Sequence, residues 1–175
     1  MSIFPGNLKA FTASPFRMPR PRFVGDDARL DTPNTVRLFH AAQTLGFRRI
    51  PGRHPVDSID APRIAVAGVA AAYLAIGETD RDEADRRMVA TLQSTLGQSR
   101  SDAAALTVLA HWLIEDCETP ELALPRLART LERLAETDGL RKVTAVIAAL
   151  TKARGTPPND AQSVALQDIK RIFRT

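Results

Sequence analysis

The stretch PRIAVAGVAAAYLAIG, residues 62–77, carries one charged side chain, Arg63, and its apolar residues leave no polar stripe at any helical angle. From residue 64 to residue 77 there are 14 residues without a charge, short of the roughly 20 needed to span a bilayer. Pro62 suits the first turn of a helix, where its missing N–H costs nothing. A helix that is apolar nearly all round belongs at the centre of other helices. The segments on either side must therefore supply its cover.

Downstream the pattern is helical almost without pause. Thr79 or Asp80 can cap a second helix carrying Met88, Leu92 and Leu96, which stops at Gly97. Ser101 caps a third with Leu106, Leu109 and Leu113. Pro120 opens a fourth, in which Leu124, Leu127, Leu131 and Leu134 recur at helical spacing. Asp138-Gly139 separates it from a fifth with Leu140, Val143, Ile147 and Leu150. After GTPPND, residues 155–160, a sixth carries Leu166, Ile169 and Phe173. No segment alternates with a period of two, so the expected fold is all-α, a compact bundle of six to seven helices.

Upstream the grammar changes. Residues 1–60 hold six of the seven phenylalanines, seven of the 12 prolines, and nine Lys/Arg against five Asp/Glu. Residues 61–175 hold 15 of each sign, so the net charge of +4 resides in the first third. The opening, MSIFPGNLKAFTASPFRMPRPRF, sets Phe4, Phe11, Phe16 and Phe23 among prolines and cations and fits no secondary-structure period. We read residues 1–32 as an extended arm. DTPNTVRLFHAAQTLG, residues 31–46, reads as a short helix capped by Asp31 or Thr32 and ended by Gly46, with Val36, Phe39, Ala42 and Leu45 on one face. With the loop FRRIPGRHPVD it forms a segment 33–60, ahead of a helical domain at 61–175.

The single cysteine, Cys117, excludes an intrachain disulfide and fits a reducing cytoplasm. No secretory signal is visible, and the prolines at 5, 15, 19 and 21 would break the helix of a transit peptide. The nine glycines form neither a dinucleotide fingerprint nor a P-loop, and there is no GxSxG. His111 and Cys117, six residues apart, do not share a helix face and make no zinc site, and a Cys-His nucleophile would need an orienting third group. We expect no enzyme.

The stretch LAIGETDRDEADRR, residues 74–87, holds the remaining chemistry: five carboxylates within the eight residues from Glu78 to Asp85. Two apolar helices each enter a glycine turn and then an acidic or polar helix start, 78 residues apart at Gly77 and Gly155, with Ala71 and Ala149 at the same offset. This order resembles the tellurite-resistance TerB-like family over roughly residues 61–175. Members of that family are all-helical and internally duplicated, with two Ala-Asp-Gly-Glu-type loops, each followed by a glutamate, thought to bind a divalent cation. Ala75, Gly77, Glu78, Asp80 and Glu83 match the first loop, and Ile76 stands at the aspartate position. In the second, KARGTPPND, Ala153 and Gly155 match, Arg154 replaces the aspartate, and Asp160 is the only carboxylate. The resemblance implies a stress-response protein holding calcium or another divalent cation through Glu78, Asp80 and Glu83.

A calcium-type site needs six to eight converging oxygens. Ile76 supplies none, and Arg154 would repel a cation if the two turns face each other. A second reading accounts for every acid: Asp80, Asp82, Glu83 and Asp85 sit where a helix dipole favours them, with Arg86 and Arg87 four residues beyond Asp82 and Glu83. We favour the helix start.

The arm offers four possibilities. Its phenylalanines can fold back over the bundle, or dock on a protein partner with Phe4, Phe11, Phe16 and Phe23 as anchors and Arg17, Arg20 and Arg22 as rim charges. It can stack bases and neutralise phosphates, or lie at a membrane surface as a peripheral anchor. Prolines oppose an amphipathic membrane helix, and four cations in residues 1–22 are few for a nucleic-acid arm. Self-covering and partner docking stand level, ahead of the others. The expectation is a cytoplasmic, non-enzymatic accessory or assembly subunit that binds a protein partner, free or peripheral to a membrane-bound assembly; the alternative is the cation-binding protein.

Overall fold

The structure, a computed structural model, describes residues 32–174. It is an all-α bundle: α1 Thr32–Leu45, a 3₁₀ turn Pro55–Ser58, α2 Pro62–Gly77, α3 Arg81–Leu96, α4 Arg100–Asp116, α5 Pro120–Arg154 and α6 Asp160–Ile172, with no strand among the described residues.

The arrangement follows from α2. Its 11 residues 64–74 are all buried, and α3, α4, α5 and α6 each pack against it. Alanines and Gly68 dominate this stretch, which lets neighbouring backbones come close; the Leu127 side chain lies directly over Gly68. The starts of α3, α4, α5 and α6 are secured by side-chain caps that satisfy otherwise orphaned N–H groups. Asp80 accepts from the N–H of Glu83 at 3.0 Å and Thr119 from that of Leu122 at 3.3 Å, while Asn159 and Gln162 form a reciprocal capping box. The cap of α4 is Ser99, which accepts from the N–H of Asp102 at 3.0 Å, two residues before the expected Ser101. Gly46, Gly97 and Gly155 end their helices in left-handed conformation.

Two expectations are corrected by long-range packing. Asp138-Gly139 does not end a helix: α5 is helical through 35 residues, Pro120–Arg154, with Pro125 inside it. Yet α5 is not straight. A straight helix of that length would extend about 52 Å, with Leu127 and Leu150 about 35 Å apart. Leu127 covers Gly68, whereas Leu150 borders Tyr73 and Leu74, only about 9 Å further along α2. The bend lies before Gly139, where a Cβ would come within 3.0 Å of Leu131 Cγ, eight residues earlier. Past it, Asp138 pairs with Arg141 at 2.5 Å and Lys142 at 2.8 Å, and these cations, Lys142 foremost, hold its carboxyl below the ordinary range. Both halves of α5 thus bury leucines against the central helix while the chain remains helical.

The second correction concerns α1. Ala41, Ala42 and Leu45 are buried, but Val36 and Phe39 point outward at 48% and 39% exposure. The buried face belongs to the C-terminal half, where α1 packs on α4 and the carbonyl of Leu45 accepts from Arg63 at 3.4 Å. Phe47, just beyond, is sealed edge-on against Trp112 with ring centroids 6.1 Å apart.

Leu127 is fully buried at the crossing of α2 and α5. Leu127→Ala is expected to cost about 2–5 kcal/mol, read as a lower denaturant midpoint with unchanged slope.

Candidate functional site

The turns after α2 and α5 do face each other, and Glu78 is where they meet. Its side chain is only 6% exposed. One carboxylate oxygen, Oε2, pairs with Arg87 of α3. The other, Oε1, stands 3.8 Å from Arg154 Nε, beyond hydrogen-bond reach, and accepts no hydrogen bond. Arg154 in turn donates to Gln162 Oε1 at 3.0 Å, and Gln162 Nε2 donates to the carbonyl of Tyr73 at 3.4 Å. Gln162, 1% exposed, lies so close to Gly77 that a Cβ there would sit 2.2 Å from its Cδ. A glycine at the end of α2 is thereby explained by the approach of α6.

The three carboxylates of the cation reading are each engaged by nitrogen donors. Glu78 is held by Arg87, Asp80 caps α3, and Glu83 receives Arg86 at 2.7 Å and Arg87 at 3.7 Å. Asp160 is exposed in the first turn of α6. Among the described residues no three His, Cys, Asp or Glu side chains come together as a metal site would require. Arginine nitrogens occupy the ground between the turns.

Beside Glu78 opens a cavity of about 260 Å³ between α2, α3, α4 and the start of α5. Leu74, Met88 and Ile114 form its apolar floor; Arg81, Asp85, His111, Glu115 and Glu118 stand around it. His111 Nε2 meets Asp85 Oδ1 at 2.5 Å, and Arg81 meets Glu115 at 3.3 Å. Glu118, in the turn from α4 to α5, has φ +73°. A side chain rarely tolerates this left-handed conformation, which costs about 1–2 kcal/mol.

Cys117 meets His54 rather than His111. His54 Nδ1 accepts from the N–H of Val56 at 3.2 Å, so the ring proton resides on Nε2. That N–H faces Asp116 Oδ2 at 3.2 Å and Cys117 Sγ at 3.9 Å. The ring offers the sulfur a proton, not a lone pair, and burial pushes the Cys117 thiol up from its ordinary value. In this arrangement His54 does not act as a base toward Cys117.

Sequence reasoning missed three pairs: Glu78–Arg87, Asp85–His111 and His54–Asp116. Their partners lie nine, 26 and 62 residues apart, outside any helical repeat. The one local signal was a carboxylate placed directly after a fully apolar helix. The proposed anchors Phe4, Phe11, Phe16 and Phe23, with Arg17, Arg20 and Arg22, lie outside the described residues. No helix among the described residues is long and apolar enough to cross a membrane. Comparison of the chain with protein-family models, with characterised proteins and with solved structures returns no match.

Removing Arg87 leaves a buried carboxylate without its closest cation. Arg87→Met is expected to lower stability by about 3 kcal/mol in chemical denaturation. The double change with Glu78→Gln should cost less than the sum of the two single changes.

Asp57 and Arg126 pair through two contacts, 2.6 and 3.4 Å, and the Arg126 hydrogen bond holds the Asp57 carboxyl below its ordinary 3.8. A depressed carboxylate contributes stability that is complete above the unfolded-state value and is lost as pH falls through the folded-state value. The stability gap between the native chain and Arg126→Ala should therefore be constant above about pH 5 and shrink below pH 3.8, measured by urea unfolding across pH. Both side chains are about 40% exposed, so solvent screening keeps the gap small.

Proposed function

We propose that the chain is a non-enzymatic helical accessory subunit, TerB-like in plan, that binds a protein partner through its N-terminal region. The observation that carries this reading is the outward apolar face of α1. Val36 and Phe39 are set toward solvent, although the same helix buries Ala41, Ala42 and Leu45 against the bundle. Ile50, in the loop that follows, is 42% exposed as well. These side chains belong to the part of the chain that continues from the Phe- and Arg-rich residues 1–31, so one contiguous stretch supplies aromatic anchors, a helix face and rim cations.

The chemistry of the described residues also supports binding. Buried carboxylates and imidazoles are matched with partners, and the histidine beside the only thiol presents it a proton. The facing turns, closed by Glu78, Arg87 and Arg154, support the TerB-like plan with an ion pair in place of a coordinated cation.

The test is affinity capture from native cells with three tagged forms: the full chain, one lacking residues 1–30, and the full chain carrying Val36→Asp. The expected result is one defined protein retained by the full chain, reduced at least about tenfold by each alteration, with melting temperatures of the bundle unchanged. Equal capture by all three forms, or none by the full chain, would overturn the reading. A fall in melting temperature on truncation would mean that residues 1–30 cover the bundle itself.

A further inference from the structure

We propose that the chain pairs with a second copy of itself through the surface where the loop 46–56 lies beside the turn from α4 to α5. That surface has two halves of opposite charge. The loop, GFRRIPGRHPV, contains three arginines and no acid; residues 115–125, EDCETPELALP, contain four acids and no Lys or Arg. Short contacts hold the halves together. His54 meets Asp116 at 3.2 Å, Asp57 of the 3₁₀ turn meets Arg126 of α5 at 2.6 Å, and the N–H of Ile50 donates to Ser58 Oγ at 3.0 Å.

Each half also turns one aliphatic side chain to solvent: Ile50 is 42% exposed and Leu122 59%. Leu122 precedes Arg126 by four residues on α5, so it shares the side of that helix that meets Asp57. Around these two side chains stand Arg48 and Arg53 in the loop, and Glu118 and Glu121 in and just after the turn. All four are exposed, and none makes an ion pair or a side-chain hydrogen bond among the described residues. The two halves thus adjoin in one chain without neutralising each other.

A surface so divided is complementary to itself. A two-fold axis sets the basic half of one copy against the acidic half of the other, and does so twice. The same operation brings Ile50 of each copy toward Leu122 of the partner subunit. Exposed ion pairs contribute little singly, but beside aliphatic side chains that exclude water they gain strength and fix the register. A polyanion is a poorer occupant. Nucleic acid or anionic lipid would be attracted by the loop and repelled by the acidic turn next to it.

The experiment is sedimentation equilibrium of the full chain and of two charge-reversed variants. One variant carries Arg48→Glu and Arg53→Glu, the other Glu118→Arg and Glu121→Arg. The native chain should dimerise reversibly, with Kd on the order of 10 μM. Each variant alone should dimerise at least about tenfold more weakly, because like charges then face each other. An equimolar mixture of the two should regain the native affinity, since a mostly acidic face then meets a mostly basic one. All four positions are exposed, so circular dichroism should show both variants folded. Leu122→Gln should weaken the native dimer at least about threefold. A native chain that stays monomeric, a dimer that both variants leave intact, a mixture of folded variants that does not associate, or assembly beyond two copies would each overturn the proposal. The association uses no residue before Arg48 and needs no other protein, so it and the partner-binding reading stand or fall separately.

Discussion

A helix with no polar face can be stable in water only if other elements surround it, and α2 imposes that requirement on everything after it. Burial of residues 64–74 on every side demands apolar cover from several directions at once, and α3, α4, α5 and α6 supply it. Because α2 is rich in alanine, with Gly68 mid-way, the covering helices approach closely, and leucines such as Leu127 and Leu150 come from the cover. The small–large complementarity lets so short a chain enclose a helix completely. It also draws the exit of α2 inside the protein, so that the first polar residue after it, Glu78, is buried before the chain reaches solvent.

From that burial the ion-pair arrangement follows. A carboxylate removed from water needs positive charge and hydrogen bonds close at hand. Arg87 arrives nearly two turns into α3 and supplies the nearer contact; Arg154 arrives at the end of α5 and supplies a longer one. Gln162, presented by α6, is bonded to both Arg154 and the Tyr73 carbonyl, so the helix ends of α2 and α5 and the start of α6 are joined through one buried amide. The fit is close enough that Gly77 has no room for a side chain.

The features legible in the sequence are those set by neighbours within about four residues. The centrality of α2, the cap at Asp80, the start at Pro120, and the glycine turns at Gly97 and Gly155 all depend on local periodicity or on turn chemistry. What was not legible depends on distant packing. Asp138-Gly139 carries a breaker signal, yet two leucine-rich halves pressed on the same central helix keep the segment helical, and the glycine serves the bend instead. Val36 and Phe39 have the spacing of a core face, but α1 meets α4 through its other end. Of the candidate site, the acidic helix start could be read; the pairing of Glu78 with Arg87, Asp85 with His111, and His54 with Asp116 could not, because each joins separate elements of the fold.

Joining the two turns through arginine side chains, where a bound cation could also have joined them, has a physical consequence for the domain. A metal bridging two turns stabilises the fold in proportion to its free concentration, so the attachment of one turn to the other would vary with supply. Arg154 is covalently part of α5, so its attraction for Glu78 needs no ligand. It is also geometrically less complete than a coordination sphere: at 3.8 Å, Arg154 leaves Glu78 Oε1 without a hydrogen bond. The fold thereby gains constitutive closure of its two turns, with one buried carboxylate oxygen left without a hydrogen bond.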